Sequence, residues 1–271
     1  MHLVFDFDGT ITQQDTISEL VASAIDKLPP SRHHGRQAAW DKAVQDYLAD
    51  YKQYTANYQP VEAERTSVAQ EVRFLAGVKR VEEASLDRVG RSGVFAGLKP
   101  DDLYQAGVDA ARTGRVVLRD GFKEIVELAG QRGWQTDVVS VNWSSAFIRG
   151  VLHPHRIPIT ANDTSPDGHI LGPECLHSRL TSSPDKLQAL SHVAAGAQDR
   201  VLYFGDSTTD MKCLLDRDGV VVAADEESPL LRTLRRAGVE VPHVGRRQRG
   251  RANICWARNF REVLASEMLE E

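Results

Sequence analysis

Long apolar runs, paired cysteines and a strong net charge are all missing from this 271-residue chain. No stretch approaches the roughly 18 consecutive apolar residues of a bilayer-spanning helix, so no membrane partner is expected. The three cysteines, Cys175, Cys213 and Cys255, are scattered and form no Cys-x-x-Cys pair. That pattern fits free thiols in a reducing compartment better than a disulfide framework. No basic n-region and apolar h-region precede the first polar motif, so a signal peptide is not expected and a cytoplasmic location is. The formal net charge of −5 argues against a nucleic-acid partner. Internal repeats and low-complexity segments are absent too. What is present is 41% hydrophobic content and enough length for one large domain or two modest ones.

The rest of the chain is organised around its first fourteen residues, MHLVFDFDGTITQQ. Leu3 to Phe7 are apolar except for Asp6, which predicts a short strand buried on both faces. Asp6 and Asp8 lie two residues apart at its end, a spacing that turns both side chains to one side. Gly9 then allows a sharp turn. Two acids at the mouth of a buried strand are costly unless neutralised, and a divalent cation is a suitable neutraliser. Alone, Asp-x-Asp is also ordinary turn chemistry. A second acid cluster, YFGDSTTD at 203–210, again follows an apolar run, Val201 to Phe204.

Between these clusters the period changes twice. Residues 16–28 place Ile17, Leu20, Val21, Ala24, Ile25 and Leu28 on one helical face, with Asp15 or Thr16 as N-cap and Pro29-Pro30 as terminator. PPSRHHG reads as a loop. Helical spacing resumes over 36–58, over about 60–89 and over 99–112. From Arg115 onward strands and helices alternate. The pattern predicts helices at 122–131, 144–152, 183–194, a short MKCLLD helix and a tail helix at 259–269. It predicts strands at 136–142, 157–163, 201–206 and 219–224, a hairpin piece at 168–173, and Val239 to Val241 as a last segment. This is an α/β fold: a Rossmann-like parallel sheet core, 1–11 and 115–271, with an inserted all-helical domain, 12–114. Ligands of such sheets sit beyond the C-terminal strand ends. Asp6, Asp8, Ser140, Asp206 and Asp210 all fall there.

Hard carboxylate oxygens from these acids suit Mg²⁺ rather than zinc. Ser140 adds a hydroxyl, the helix start after it adds backbone N–H groups, and Lys186 adds a cation. Together they make a phosphoryl-transfer site, in which cations balance charge while a phosphate is held near a carboxylate nucleophile.

At this point the residues carry a resemblance. DFDGT at 6–10, the strand end at Ser140, Lys186 and GDSTTD at 205–210 resemble, in order, the four motifs of the haloacid dehalogenase (HAD) superfamily of phosphatases. The helical insert resembles the C1 cap of the phosphoserine phosphatase-like branch, and VVSVNWS and YFGDSTTD resemble a fungal group of HAD phosphatases. The resemblance implies a HAD fold with a C1 cap and a Mg²⁺-dependent phosphomonoester hydrolase of small phosphorylated metabolites, a monomer or homodimer. It implies that Asp6 attacks phosphorus, that Asp8 protonates the leaving group and then activates water, and that Lys186 stabilises Asp6. It implies that Asp6, Asp8 (through its backbone carbonyl), Asp206 and Asp210 hold Mg²⁺, Asp210 directly or through water. Gly9, Ser140, Val141 and Asn142 would contact phosphate or substrate. Dehalogenases of the superfamily lack the second acid, so Asp8 favours phosphate ester chemistry.

Several residues keep two readings. Asn142 either contacts the substrate or caps the helix near Ser144. Trp143 either walls the pocket or packs in the core. Asp15 stands where the resembled phosphatases carry a glutamate for the substrate amine; it either binds substrate or is an N-cap. No arginine among Arg36, Arg65, Arg73, Arg80 and Arg88 stands out as a carboxylate binder. The tyrosines and Trp40 at helical spacing are expected to form the core of the cap. His33-His34 and the run Arg246, Arg247, Arg249, Arg251 are expected in solvated loops. The rival functions are a phosphotransferase to another alcohol, or a catalytically silent regulatory or binding protein. The cap is expected to open and close about Thr10–Gln14 and Arg112–Leu118.

Overall fold

A computed structural model describes residues 1–196, 200–246 and 253–270. The first strand, β1 (His2–Phe5), is wholly buried. Four helices follow: α1 (Ile17–Asp26), α2 (Pro30–Asn57), α3 (Val68–Ser92) and α4 (Pro100–Arg112). Next come α5 (Phe122–Arg132), β2 (Gln135–Val139), α6 (Ser145–Val151) and β3 (Ile159–Thr160). A small hairpin, β4 (Asp163–Thr164) and β5 (Ile170–Leu171), precedes α7 (Ser183–Val193) and β6 (Val201–Gly205). The chain then runs through α8 (Met211–Asp216), β7 (Asp218–Val222), α9 (Pro229–Arg236), β8 (Ile254–Ala257) and α10 (Phe260–Leu264).

Six strands form one parallel sheet in the order β3-β2-β1-β6-β7-β8. The chain builds outward from β1 in one direction and then returns to β1 to build outward in the other. The crevice where that reversal falls lies between β1 and β6, the place such sheets reserve for ligands. Phe5 is opposite both Val138 and Phe204. Its ring stacks on Phe204 at 4.8 Å and meets Phe122 and Phe260 edge-on at 5.6 and 5.7 Å. Leu3 and Phe5 belong to the apolar cluster that includes α1, α4, α5, α6 and α10, whereas Val4 joins the cluster under α7, α8 and α9. The strand's two-residue period therefore ties both faces of the sheet to one four-residue segment.

Some expectations need correction. PPSRHHG is not a loop: α2 begins at Pro30, because proline at the first helical position lacks only an N–H that would be orphaned anyway. His33 and His34 therefore lie on a helix. The third core strand shrinks to Ile159–Thr160, and Asp163–Thr164 leaves the sheet for the hairpin with Ile170–Leu171. The β2 strand stops at Val139, before Ser140. A sixth strand, ICWA at 254–257, is missing from the sequence reading, as is α9, while Val239 to Val241 form no strand. Arg246 ends a short 3-10 turn, and Arg247, Arg249 and Arg251 lie outside the described residues.

The helical insert is not suspended from the sheet by loose linkers. Gln13 N donates to Val117 O at 2.9 Å and Arg119 N to Ile11 O at 2.7 Å, so the outgoing and returning segments are zipped together. Helix α4 then lies directly on α6. A Cβ on Gly107 would fall 2.2 Å from Phe147 O, and one on Gly150 would fall 2.0 Å from Tyr104 O. Only glycine permits that approach. Gly150→Ala is expected to destabilise the protein by about 1–3 kcal/mol through overpacking, read as a lower midpoint in urea. An unchanged midpoint would show that the two helices are not seated this closely.

Candidate active site

The turn after β1 carries the first two acids. Gly9 adopts φ +73°, and a Cβ there would stand 2.3 Å from Asp206 Oδ2. That position therefore needs glycine both for its backbone and for the space. Thr10 Oγ1 donates to Asp206 Oδ1 at 2.9 Å, which links the turn after β1 to the turn after β6. Oxygens of Asp6, Asp206 and Asp210 all lie within 4.8 Å of one another. Lys186, at the start of α7 and fully buried, places Nζ 2.7 Å from Asp6 Oδ1 and 2.6 Å from Asp210 Oδ1. Asp6 Oδ1 has no aligned hydrogen-bond donor, so its hold on Lys186 is one of charge.

Three carboxylates face one ammonium, so with all of them ionised the cluster carries two negative charges beyond Lys186. Burial raises the proton affinity of Asp6 well above the ordinary carboxylate range, and the charge of Asp210 adds to it. Asp206 is pushed to about 7 by the same two causes. Burial alone would lower Lys186, but Asp210 and Asp6 outweigh it and keep the ammonium charged. Desolvated oxygens with this much unbalanced charge fit a hard divalent cation such as Mg²⁺. Asp210 is further fixed by Tyr203, whose hydroxyl donates to Oδ1 at 2.6 Å, and by Ser207 N at 3.0 Å on Oδ2.

Asp8 is set apart. Its carboxylate accepts from Thr16 N at 2.8 Å, Thr16 Oγ1 at 2.6 Å and Asn142 Nδ2 at 2.8 Å. The side chain thus points away from the carboxylate cluster, and any share in a cation would fall to the backbone. Burial and the nearby Asp15 raise Asp8 to about 6, even though the Thr16 and Asn142 bonds pull the other way. Asn142 is itself buried and orients Asp8; Ser144 caps α6 instead, accepting from Phe147 N at 3.1 Å. Ser140 is buried just past β2, its Oγ accepting from Asn142 N at 3.1 Å.

Beside these groups lies a cavity of about 500 Å³. Asp6, Asp8, Gly9, Val141 and Asp206 line its floor, and Asp15 lines it while also accepting from Ile17 N at 2.9 Å. The N-cap of α1 is Thr16 rather than Asp15, while Trp143 both lines the cavity and packs on Trp40 and Phe95. Trp40 and Tyr47 are also in the wall, contrary to the expectation that they only fill the cap core; Tyr54 does pack there, against Phe74 and Tyr58. None of the five candidate arginines reaches the cavity: Arg65 is held by Glu71 at 2.8 Å and Arg88 by Asp50 at 2.8 Å, for example. A larger concavity of about 780 Å³, near Glu240 and Trp256, shares no residue with the carboxylates.

Two positioning residues escaped the sequence reading. Asn162, fully buried, donates to Val141 O at 3.0 Å and Leu180 O at 2.9 Å, and accepts from Leu180 N at 2.8 Å. It staples the segment after β2 to the loop before Lys186. Arg119 donates to the carbonyls of Gly9, Thr10 (3.0 Å) and Thr12 (3.4 Å), and so clamps the turn that carries Asp8. The only sequence signal for Asn162 is a polar residue inside an apolar strand-like run. Arg119 has none.

A parallel sheet whose switch crevice gathers buried acids around a buried lysine is the architecture of a hydrolase with an acidic centre. The family model for haloacid dehalogenase-like hydrolases matches residues 3–215, and the chain belongs to that family. It is 30% identical over 238 residues to a CTO1 family protein of Schizosaccharomyces pombe, covering 79% of this chain and 78% of that protein. It is 25% identical over 264 residues to cold tolerance protein 1 of Saccharomyces cerevisiae, covering 84% and 80% respectively. Among solved structures, a phosphoserine phosphohydrolase-like protein from Francisella tularensis shares the fold, with a TM-score of 0.53, 16% identity and coverage of 97% and 98%.

Arg119→Ala removes the donor to three carbonyls of the turn after β1. It is expected to cost about 1–3 kcal/mol, read as a lower denaturant midpoint, with Arg119→Lys recovering only part of the loss. Full stability in Arg119→Ala would remove Arg119 from this role.

Proposed function

We propose that the protein is a Mg²⁺-dependent phosphomonoesterase of small phosphorylated metabolites, working through a phosphoryl group carried on Asp6. The observation that carries this reading is the pairing of Asp6 with Lys186 at 2.7 Å, while Asp8 is held apart by Thr16 and Asn142. These different environments support giving the attack to Asp6 and the proton transfer to Asp8.

In the first step an Asp6 oxygen attacks phosphorus, and the bond from phosphorus to the ester oxygen breaks. Asp8 gives its proton to the departing alkoxide; a proton affinity of about 6 suits that task near neutral pH. In the second step water attacks the phosphoryl group and gives its proton to Asp8. The Asp6–phosphorus bond breaks, releasing inorganic phosphate and restoring both acids. Lys186 faces the charge that moves between Asp6 and the phosphoryl oxygens. Asp6, Asp206, Asp210 and the Asp8 carbonyl would hold Mg²⁺, which when bound supplies the positive charge that lets an anionic ester approach these acids. Phosphate contacts fall to the turn at Gly9 and to Ser140 in this reading, and Val141 and Asp15 face the rest of the substrate.

Residues 12–114 act as the cap, with α2 and α3 supplying Trp40, Tyr47, Leu86 and other parts of the cavity wall. A cavity of about 500 Å³ favours a small molecule over a phosphoprotein. Cys175, Cys213 and Cys255 form no disulfide among the described residues, which supports a cytoplasmic location.

Asp6→Asn is expected to abolish turnover of a generic aryl phosphate while the far-UV spectrum and unfolding midpoint stay near those of the wild type. Retained turnover would discard Asp6 as nucleophile. Chelation with EDTA is expected to silence the enzyme and added Mg²⁺ to restore it; hydrolysis that persists in EDTA would give Asp206 and Asp210 another purpose.

A further inference from the structure

The cavity is lopsided in charge. Five carboxylates line it, Asp6, Asp8, Asp15, Glu82 and Asp206, and among its described lining residues there is no lysine, arginine or histidine. Three of the five belong to the reacting centre. Asp15 and Glu82 do not.

Glu82 comes from α3, where its Oε1 accepts from the Tyr47 hydroxyl at 2.9 Å. Among the described residues it makes no ion pair, and burial raises its proton affinity. Its neighbour Glu83 is paired with both Lys79 (3.6 Å) and Arg179. Two basic side chains of α3 are paired with other acids: Lys79 also reaches Asp185 at 2.6 Å, and Arg88 reaches Asp50. Asp15 likewise makes no ion pair among the described residues; its carboxylate accepts from Ile17 N.

The wall also carries aromatic faces. Trp40 and Trp143 meet edge to face at 5.9 Å and 77°, and Phe95 buttresses Trp143 at 6.4 Å and 88°. A fixed indole attracts a positive charge laid over its face, the more so out of water. Two carboxylates without basic partners attract the same charge. A carboxylate-bearing leaving group would meet only repulsion here, which separates this cavity from one built for an amino-acid phosphate.

We propose that the alcohol portion of the substrate is a flat organic cation, a ring bearing a permanent positive charge, held between the Trp40–Trp143 wall and the carboxylates of Glu82 and Asp15. The inference rests on the phosphomonoesterase reading of the same cavity, since it specifies what the phosphate is attached to.

Two measurements test it, and the first needs no catalysis. N-(2-hydroxyethyl)pyridinium and its neutral isostere 2-phenylethanol are titrated into the Mg²⁺-supplemented wild-type protein by calorimetry. The cation is expected to bind at least about tenfold more tightly, a gap within reach of a desolvated cation–π contact plus charge pairing. Asp15→Asn, at a solvent-exposed position, and Glu82→Gln are each expected to shrink that ratio severalfold. Equal affinities, no measurable heat with the cation at millimolar concentration, or a ratio untouched by both variants would overturn the inference. In the second measurement, kcat/KM is compared for the phosphate esters of the same two alcohols and for phosphoserine. The cationic ester is expected to lead by about tenfold or more. Hydrolysis without charge preference would overturn this inference and leave the phosphatase reading standing. Charge-selective binding of the alcohols with no ester hydrolysed would do the reverse.

Discussion

Lys186 locked between Asp6 and Asp210 is the contact on which the rest depends. Its ammonium is fully buried, with carboxylate oxygens at 2.7 and 2.6 Å, and it ties the end of β1 to the start of α7 and the turn after β6. Three segments distant in sequence converge there because each has something to lose in isolation. A buried ammonium or carboxylate left without its partner costs on the order of 3–5 kcal/mol. The fold can hide these charges only by bringing them together, and the parallel sheet does so by starting from β1 and building outward on both sides. Tyr203, Ser207 and Thr10 then hold the remaining oxygens of Asp210 and Asp206. The imbalance that survives, two negative charges beyond what Lys186 offsets, is the reason the site suits a divalent cation.

Much of this was legible from residue order alone. The β1 segment, Asp6, Asp8, Lys186 and the GDSTTD turn have strong local signals: a short apolar run, acids at its end, then glycine. Their convergence follows from the rule that parallel sheets gather strand ends at one edge. The different surroundings of the two acids were not legible, because Asp8 is held by hydrogen bonds from Thr16 and Asn142, residues that read equally well as helix caps. Asn162 and Arg119 were illegible for a similar reason. Each acts by satisfying backbone carbonyls that only the folded chain brings near, Arg119 across more than a hundred residues of intervening insert. Periodicity also misjudged the edges. Four-residue β8 at the rim of the sheet is too short for alternation to declare itself, and proline punctuation at Pro29-Pro30 looks the same whether a helix ends there or begins.

The cavity illustrates a different limit. Trp40, Tyr47 and Glu82 carry ordinary amphipathic spacing, and such spacing cannot say whether a face meets another helix or an open space. In α2 and α3 the same pattern does both: Tyr54 packs on Phe74 near one end, while Trp40 and Tyr47 front the cavity. The wall of this cavity is therefore built from residues whose sequence context looks purely structural.

The glycine pair at 107 and 150 bears on how such molecules could be rebuilt. With the α4 and α6 backbones in contact and the 11–13 and 117–119 segments laced together, α4 is mechanically a part of the sheet layer, although it lies with α1, α2 and α3 in the insert after β1. The portable module is accordingly the hairpin of α2 and α3, roughly 30–92. A chimera cut at those limits would carry a donor's α2–α3 part of the cavity wall onto this sheet with both glycines left at home.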